Sequence, residues 1–215
     1  MLKFYHHPLS PLARRVWLVL LEKNLDFEPI IVNLSEGEQL KPQFLKLNPF
    51  HHVPVIVDDG FRVIESLAII DYLEQKYPEI NLLPQDPKVL AKVRMAQMVT
   101  NSELGSQIIP LILEEPNSTQ RSPARRQLQR ICQFLTELLA DQPYFGEEQF
   151  TLGDVVAGNG LILANRLGFS LDAFPQLENY CDRLMAREPW QQVQPSKEQL
   201  ASWQKFLKNL ISKRS

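Results

Sequence analysis

The chain has 215 residues, of which 44% are hydrophobic and 22% are charged, and its formal net charge is −2. This length suits two small domains, and the charge gives no reason to expect binding to nucleic acid or to an anionic membrane. No apolar run reaches the roughly 18 residues of a membrane-spanning helix, and the start of the chain lacks the pattern of a signal peptide. We therefore expect a cytoplasmic protein in which Cys132 and Cys181 are buried free thiols.

The first 78 residues alternate between strand patterns and helix patterns. Pro11 suits the first turn of a helix, an Asp-Asp-Gly turn at residues 58–60 suits a hairpin, and Pro78 ends the last helix. The predicted strands are 2–5, 27–34, 55–57 and 61–64, and the predicted helices are 11–21, 41–47 and 66–77. This order predicts an α/β N-terminal domain over residues 1–78.

A proline-rich segment at residues 79–87 separates this region from a purely helical pattern. The segment has no hydrophobic period and is typical of an extended linker. Helices are predicted at 89–113, 123–140, 151–167, 175–187 and 197–212. We expect a bend in the first of them near Gly105 or Pro110. Residues 88–215 are thus predicted to form an all-α domain, so the fold class is α/β followed by all-α.

The segment FTLGDVV has the pattern of a capping box. Thr151 is the N-cap and Asp154 lies three residues later, while Phe150 and Val155 are spaced as a hydrophobic staple. The helix that follows is almost wholly apolar, so we expect it to be buried at the centre of the second domain.

Val53–Pro54 lies at the entrance to the third predicted strand. A proline is tolerated at the first position of a strand because only one ladder donor is lost, so the pair has a purely structural explanation. The alternative is a cis peptide bond that leaves the backbone N–H and C=O of Val53 open to a ligand.

Glu65–Ser66 lies where the fourth strand meets a helix. Ser66 is a natural N-cap for a helix that starts at Leu67, and that role alone is common. A helix N-terminus with a free hydroxyl also binds carboxylates, and Glu65 beside it could hold an ammonium group. The pair therefore suits an α-amino acid, which carries both charges on one carbon.

Ser10–Pro11 follows the first predicted strand. Ser10 has the chemistry of a plain N-cap. Alternatively, its hydroxyl donates to the thiolate of a ligand, and the helix dipole lowers the pKa of that thiol. The run Ser10-Pro11-Leu12-Ala13 contains no cysteine, so the thiol would have to come from the ligand.

These three features occur in order ahead of a helical domain, and together they make the chain resemble the cytosolic glutathione transferase family. The resemblance covers nearly the whole sequence. It is carried by SPLARRVWLVLLEK, NPFHHVPVIVDDGFRVIESLAIIDYL, FTLGDVVAGNGLI and FPQLENYCDRLMAREPW. The first of these segments is similar to the serine-type classes of the family, near the phi, theta and tau groups.

The resemblance implies a thioredoxin-like N-terminal domain in which the peptide bond before Pro54 is cis. It implies that Val53 holds the cysteinyl part of glutathione through its backbone. Glu65 and Ser66 would hold the γ-glutamyl end, and Ser10 would stabilise the thiolate as the catalytic residue.

The resemblance also suggests further site residues. Some classes use a tyrosine at the end of the first strand as thiol activator, which makes Tyr5 the alternative to Ser10. His52 occupies a position near the glycyl end of glutathione where relatives often carry glutamine or lysine. Gln39 and Lys41 fall in a segment that often helps to bind that end.

The four histidines form two adjacent pairs, His6–His7 and His51–His52, and the resemblance places both near the site. Adjacent residues of an extended segment point in opposite directions, so each pair would offer one inward nitrogen. We therefore expect no metal site, and we expect a histidine to shape the pH dependence instead.

The activity that the resemblance implies is glutathione S-transfer to electrophilic, largely apolar substrates, as in detoxification. Glutathione is then a co-substrate, no cofactor is expected, and the electrophile would lie between the domains of a homodimer subunit. Two alternatives stay open. One is a glutathione-fold binding or scaffold protein with little turnover, and the other is a glutathione-dependent isomerase, dehalogenase or peroxidase.

Overall fold

The structure is a computed structural model that describes residues 1–114 and 122–212. The chain divides into two compact units. The first unit is Met1–Asn81 together with Gln192–Pro195, and the second is Leu82–Gln191 together with the chain from Ser196 onwards. Among the described residues, no helix combines the length and the apolar character needed to cross a membrane.

A four-stranded mixed sheet forms the centre of the first unit. Its strands are β1 (Leu2–His6), β2 (Glu28–Ile31), β3 (Val55–Asp58) and β4 (Phe61–Ile64). The spatial order is β2-β1-β3-β4, with β1 parallel to β2 and antiparallel to β3, and with β3 antiparallel to β4. The α/β character predicted for this part of the chain is confirmed.

Three helices accompany the sheet, namely α1 (Pro11–Glu22), α2 (Pro42–Leu45) and α3 (Ser66–Lys76). Alternation along β1 sends Phe4 and His6 to one face, where His6 meets Trp17 of α1. Tyr5 points to the other face, where it packs against a cluster that includes Phe44 of α2. The central strand β1 is therefore packed against other side chains on both faces of the sheet.

Two buried polar contacts hold the helices to the rest of this unit. Lys23, just after α1, forms an ion pair with Glu74 of α3 (Nζ–Oε2, 2.7 Å), and both side chains are almost fully buried. At the end of β3, Asp58 Oδ2 accepts hydrogen bonds from the hydroxyls of Tyr72 (2.9 Å) and Tyr77 (2.8 Å). Because buried charges are costly without partners, these contacts fix the position of α3 against the sheet.

The predicted second strand is too long. Residues 27–34 were expected to be extended, but β2 ends at Ile31 and two short 3₁₀ turns follow, at Leu34–Glu36 and Glu38–Leu40. The side chain of Asn33 accepts a hydrogen bond from Ser35 N–H, and its own N–H donates to the Glu38 carboxylate (2.8 Å). Asn33 thus starts a turn where hydrophobicity alone predicted a strand.

The second unit is helical, as predicted. Its helices are α4 (Pro87–Val99), α5 (Gly105–Leu113), α6 (Pro123–Leu139), α7 (Leu152–Arg166), α8 (Pro175–Met185), α9 (Glu188–Gln192) and α10 (Lys197–Ser212). Helix α7 is buried over nearly its whole length, as its apolar sequence predicts. It approaches the α4–α5 region closely at Gly160. A Cβ built on this residue would lie only 2.7 Å from Thr100 Cγ2.

The predicted capping box at the start of α7 is confirmed. Asp154 Oδ2 accepts hydrogen bonds from the backbone N–H and the hydroxyl of Thr151, both at 2.7 Å. Asp154 Oδ1 accepts from Phe145 N–H (2.9 Å) and from the Tyr180 hydroxyl (3.1 Å). One buried carboxylate therefore joins α7 to the preceding loop and to α8.

The long helix predicted over residues 89–113 is confirmed as one continuous helical stretch, and its regular α-helical pattern is interrupted near Gly105, where a bend was expected. A π-helical turn, Thr100–Leu104, separates α4 from α5 directly before Gly105, whereas Pro110 lies inside α5. Ser102 Oγ donates to the carbonyl of Met98 (2.8 Å) and so competes with the regular backbone ladder. The short helix α9 was not predicted, because five residues are too few for a helical period.

Candidate active site

Strand register brings the predicted site residues to one edge of the sheet. Tyr5 at the end of β1 lies opposite Val55 at the start of β3, and Val55 lies opposite Ile64 at the end of β4. The segments that leave this edge are 7–10, 53–54 and 65–66, and residues 32–41 leave it after β2, since His6 lies opposite Ile31. Segments distant in sequence thus meet at one end of the sheet.

Ser10 is the N-cap of α1. Its Oγ accepts a hydrogen bond from Ala13 N–H at 3.3 Å, and its own N–H donates to the His7 carbonyl (2.9 Å). The side chain is half-buried rather than enclosed. An acceptor role at the helix end leaves the hydroxyl proton available, so the two interpretations of Ser10 are compatible: it caps the helix and can still donate to a bound anion.

The Val53–Pro54 peptide bond is cis, as the resemblance implies. Pro54 directly precedes β3, and the Val53 side chain is buried in the cluster beneath it. Among the described residues, the backbone N–H and C=O of Val53 have no hydrogen-bond partner. Because backbone polar groups are seldom left unpaired, these two are candidates for pairing with an extended peptide ligand.

The loop before this bond is held by Asn48, which directly follows the helix predicted over residues 41–47. Asn48 is buried, its Nδ2 donates to the His52 carbonyl (2.8 Å), and its Oδ1 accepts from Phe50 N–H (3.0 Å). The signal was present in the sequence, since an asparagine that bonds the backbone two residues ahead is a common turn former.

The predicted N-cap of the third helix is wrong by one residue. Helix α3 begins at Ser66, and Glu65 is its N-cap, with φ +68° and ψ 118°. Non-glycine residues seldom adopt a positive φ, and here it turns the chain from β4 directly into the helix. Glu65 is exposed, whereas Ser66 is buried.

The N-terminus of α3 is uncapped. No side chain accepts from its first turn, and the N–H groups of Ser66, Leu67 and Ala68 have no partner among the described residues. The Ser66 hydroxyl likewise has no hydrogen-bond partner among the described residues. Helices α1, α4 and α6 are all capped by side chains. The α3 terminus therefore offers several donors and a dipole for an anion, next to the free carboxylate of Glu65.

The histidine pairs occupy different environments. His6 is buried against Phe4 (4.5 Å between ring centroids) and Trp17 (5.1 Å), and burial, with a smaller effect of His7, lowers its pKa to about 4. Burial also lowers the pKa of His7, whose Nδ1 accepts from Leu9 N–H (3.2 Å). In the described part of the chain, no three His, Cys, Asp or Glu side chains are grouped as metal ligands.

The remaining predicted residues lie at the same edge with local contacts of their own. His52 is exposed, and its ring meets that of His51 edge-on at 5.7 Å. Gln39 lies in the second 3₁₀ turn and donates to the Leu34 carbonyl at 3.5 Å. Lys41 is exposed and forms an ion pair with Glu38 (3.4 Å).

Comparison with known protein families adds to this geometry. Residues 4–81 match the model described as glutathione S-transferase, N-terminal domain, and residues 97–188 match the model described as glutathione S-transferase, C-terminal domain.

Three characterised relatives are similar over most of their length. Glutathione S-transferase D7 of Drosophila melanogaster is 30% identical over 215 residues, which cover 97% of this chain and 94% of the relative. Glutathione S-transferase 1 of Dianthus caryophyllus is 36% identical, with coverage of 84% and 86%. Maleylacetoacetate isomerase of Pseudomonas aeruginosa is 29% identical, with coverage of 91% and 96%.

The fold has a close counterpart among solved structures. A delta-class glutathione transferase of Nilaparvata lugens superposes with a TM-score of 0.83 at 24% identity, covering 97% of this chain and 99% of that one. At this level of identity the likeness concerns the fold.

Proposed function

Because this chain belongs to the glutathione S-transferase family, we propose that it transfers the sulfur of glutathione to an electrophilic carbon of a small, largely apolar co-substrate. The observation that carries the proposal is the strand register that gathers Ser10, Val53 and Glu65–Ser66 at one sheet edge. Each of the three offers a different kind of group, and glutathione has a matching group for each.

The middle of glutathione would pair with the backbone of Val53. Its cysteinyl residue carries one N–H and one C=O, and Val53 presents one unpaired N–H and one unpaired C=O. Pro54 cannot donate, so Val53 is the last residue before β3 with both groups to offer. This mode extends the sheet edge by a short peptide.

The γ-glutamyl end would bind at the start of α3. Its carboxylate accepts from the Ser66 hydroxyl and the uncapped N–H groups, where the helix dipole favours negative charge. Its ammonium group faces the Glu65 carboxylate, which is exposed and has no ion pair among the described residues. The glycyl end would meet His52, with Gln39 and Lys41 as further contacts from the segment after β2.

Ser10 would activate the sulfur. Its hydroxyl donates to the thiolate, and the N-terminus of α1 adds positive potential, so the thiol loses its proton to solvent at a lower pH. The thiolate then attacks the electrophilic carbon and forms a C–S bond, and the leaving group departs with its electron pair. Tyr5 is the alternative activator, although its packing against Phe44 and Val53 gives it a structural role as well.

We further propose that the protein acts in the cytoplasm as a homodimer. Both properties are typical of the family. The proposed domain boundaries are 1–78 for the glutathione-binding domain, 79–87 for the linker and 88–215 for the helical domain.

The test is binding to immobilised glutathione, followed by conjugation assays with a halogenated nitroarene, an epoxide and an unsaturated aldehyde. Ser10→Ala should lower kcat about 10- to 100-fold, because a hydrogen bond to a charged group contributes about 1.5–3 kcal/mol. Ser10→Thr keeps both the hydroxyl and the cap and serves as the matched control.

Equal activity of Ser10→Ala and the wild type would remove Ser10 from its role, and Tyr5→Phe would then be the next variant. Failure to bind glutathione would instead favour a scaffold protein.

One alternative reaction has a specific observation in its favour, namely the similarity to maleylacetoacetate isomerase. In that reaction class, a thiolate adds to an unsaturated carbon and leaves again after rotation about the bond. The same glutathione site would serve it. Isomerisation of a cis-unsaturated dicarboxylate without net consumption of glutathione would distinguish it from transfer.

A further inference from the structure

The connection between β1 and α1 is short and is held by one of its own residues, His7. It comprises residues 7–10, between the end of β1 and the start of α1. Pro8 has no N–H group, so Leu9 and Ser10 carry the backbone donors that need partners between His7 and the helix. Both of these N–H groups bond to His7.

His7 accepts the two successive donors with different groups. Its backbone carbonyl accepts from Ser10 N–H (2.9 Å), and its ring Nδ1 accepts from Leu9 N–H (3.2 Å). A side-chain acceptor that bonds the backbone two residues ahead closes a turn, as Asn and Asp side chains do. The ring of His7 therefore fixes the backbone immediately before Ser10.

The Ser10 hydroxyl depends on this backbone for its position. Its Oγ accepts from Ala13 N–H at 3.3 Å, slightly beyond the usual range of about 2.7–3.2 Å, so the cap bond restrains the side chain weakly. A thiolate contact needs the hydroxyl to be aimed at one point. A change in the turn before Ser10 should therefore misdirect the hydroxyl.

The bond between the His7 ring and Leu9 requires a neutral imidazole. A ring nitrogen that accepts a hydrogen bond must lack a proton, so Nε2 carries the hydrogen in this tautomer. Burial lowers the pKa of His7 and favours the neutral form at neutral pH. Protonation would place a hydrogen on Nδ1 directly against Leu9 N–H, and the bond would be lost.

No carboxylate at this edge of the described structure opposes the neutral state of His7. The ionisable side chains on the segments that leave the edge are Arg14 and Arg15 in α1, Glu36, Glu38 and Lys41 after β2, His51 and His52 before β3, and Glu65 before α3. Within the described part of the chain, none of them forms an ion pair with His7. The adjacent His6 is itself neutral, because burial and the neighbouring His7 lower its pKa to about 4.

We propose that His7 is a positioning residue for Ser10: its neutral ring closes the β1–α1 turn so that the Ser10 hydroxyl is directed at the glutathione thiolate. This role rests on the proposed glutathione transfer, and His7 acts on the thiolate through Ser10 without touching the ligand. Its loss should therefore lower kcat and leave the KM for glutathione nearly unchanged, because Val53 and Glu65–Ser66 are unaffected.

Steady-state kinetics of the full-length protein with glutathione and a halogenated nitroarene test this role at neutral pH. His7→Leu removes the acceptor and should lower kcat about fivefold or more, since a neutral hydrogen bond corresponds to about a fivefold change in an equilibrium. His7→Asn supplies another acceptor for the N–H two residues ahead, so its kcat should stay within about twofold of the wild type. His51→Asn is the matched control: His51 is exposed, and asparagine tolerates its φ of +52°.

The pH profile of kcat separates this role from a merely structural one. In the wild type, two protons suppress kcat as the pH falls, one on the glutathione thiolate and one on His7, so log kcat should fall with a limiting slope of about 2. Asparagine does not titrate in this range, so His7→Asn should fall with a slope of about 1. His51→Asn should keep the steeper slope.

The failures of this role and of the proposed function are distinguishable. Wild-type kcat in His7→Leu, equal losses in His7→Leu and His7→Asn, or an unchanged slope in His7→Asn would each overturn the role of His7 alone. A higher KM for glutathione at constant kcat in His7→Leu would also overturn it, by assigning His7 to glutathione binding. A wild type that neither binds glutathione nor conjugates it would overturn the proposed function, and the role of His7 would fall with it.

Discussion

Glu65 has a backbone conformation that costs about 1–3 kcal/mol in a non-glycine residue. This conformation takes the chain from β4 into α3, and because the Glu65 side chain makes no capping hydrogen bond, the first N–H groups of α3 stay open. A regular Ser or Asp cap would fill the position that the γ-glutamyl carboxylate is proposed to occupy. The strain at Glu65 and the open anion site at the start of α3 therefore arise from the same turn.

The roles of charge and conformation at Glu65 can be separated by two substitutions. Glu65→Gln keeps the strain but removes the charge, so the KM for glutathione should rise about tenfold or more. Glu65→Gly also removes the charge but accepts a positive φ, so it should be more stable than Glu65→Gln by about 1 kcal/mol. Urea denaturation and steady-state kinetics measure the two effects. An unchanged KM in Glu65→Gln would exclude a contact with the ammonium group.

Asn48 positions the loop that carries Val53 without touching the proposed ligand. Asn48→Ala removes the donor to the His52 carbonyl and the acceptor for Phe50 N–H, and it should destabilise the protein by about 1–3 kcal/mol. We expect the KM for glutathione to rise while kcat changes little, because Ser10 is untouched. Asn48→Asp keeps the acceptor but sets a carboxylate oxygen against the His52 carbonyl, so it should be at least as destabilising as Asn48→Ala. A fall in kcat at constant KM would argue against a positioning role.

At the scale of elements, hydrophobic period and turn chemistry predicted the regular parts of the fold. The strands β1, β3 and β4 follow from short apolar stretches bounded by turn residues, and the buried helix α7 follows from an all-round apolar sequence. The π-helical turn at Thr100–Leu104 could not be predicted this way, because hydrophobic period does not distinguish a π-helical turn from the α-helical turns on either side of it. The same holds for the end of β2, where Asn33 starts a turn.

For the site, the sequence predicted the types of the residues better than their arrangement in space. Motifs such as Val53–Pro54 and Glu65–Ser66 are visible as residue types, but their meeting depends on strand register, which sequence period does not specify. The positive φ of Glu65 depends on its place between β4 and α3. The contacts of Asn48, in contrast, are local, and a turn-forming asparagine could have been predicted there. The buried environment of His6 also required the packing of Trp17 from another element.

The capping box of α7 permits a prediction at the scale of an element. The Asp154 carboxylate accepts hydrogen bonds on both oxygens from buried donors. In Asp154→Asn, the amide NH₂ would face some of those donors, so the free energy of unfolding should fall by about 2–4 kcal/mol. Asp86→Asn is the control: Asp86 caps α4 at an exposed end, and asparagine caps equally well. Similar small effects of the two substitutions would contradict this account.

At the scale of the whole molecule, His6 links the stability of the fold to pH. A histidine at this buried position on β1 must be neutral in the folded chain, because Phe4 and Trp17 surround it with aromatic surface and the Nδ1 atom has no hydrogen-bond partner among the described residues. Burial lowers its pKa to about 4, whereas the same group has a pKa of about 6.5 in an unfolded chain. Between these values the unfolded chain binds the proton and the folded chain does not.

The sign of the effect follows from this difference. The contribution of His6 to stability is fully present above pH 6.5 and is lost as the pH falls towards 4, so at pH 5 it should amount to a loss of about 2 kcal/mol. His6→Phe keeps the ring stacking and removes the titration. Between pH 8 and pH 5, urea denaturation should therefore show the wild type losing about 2 kcal/mol more than His6→Phe. His52→Gln, at an exposed position, retains His6 and should follow the wild type. Equal losses in the wild type and His6→Phe would mean that His6 is protonated in the folded chain, and its aromatic surroundings could not then be as tightly closed as the ring distances require.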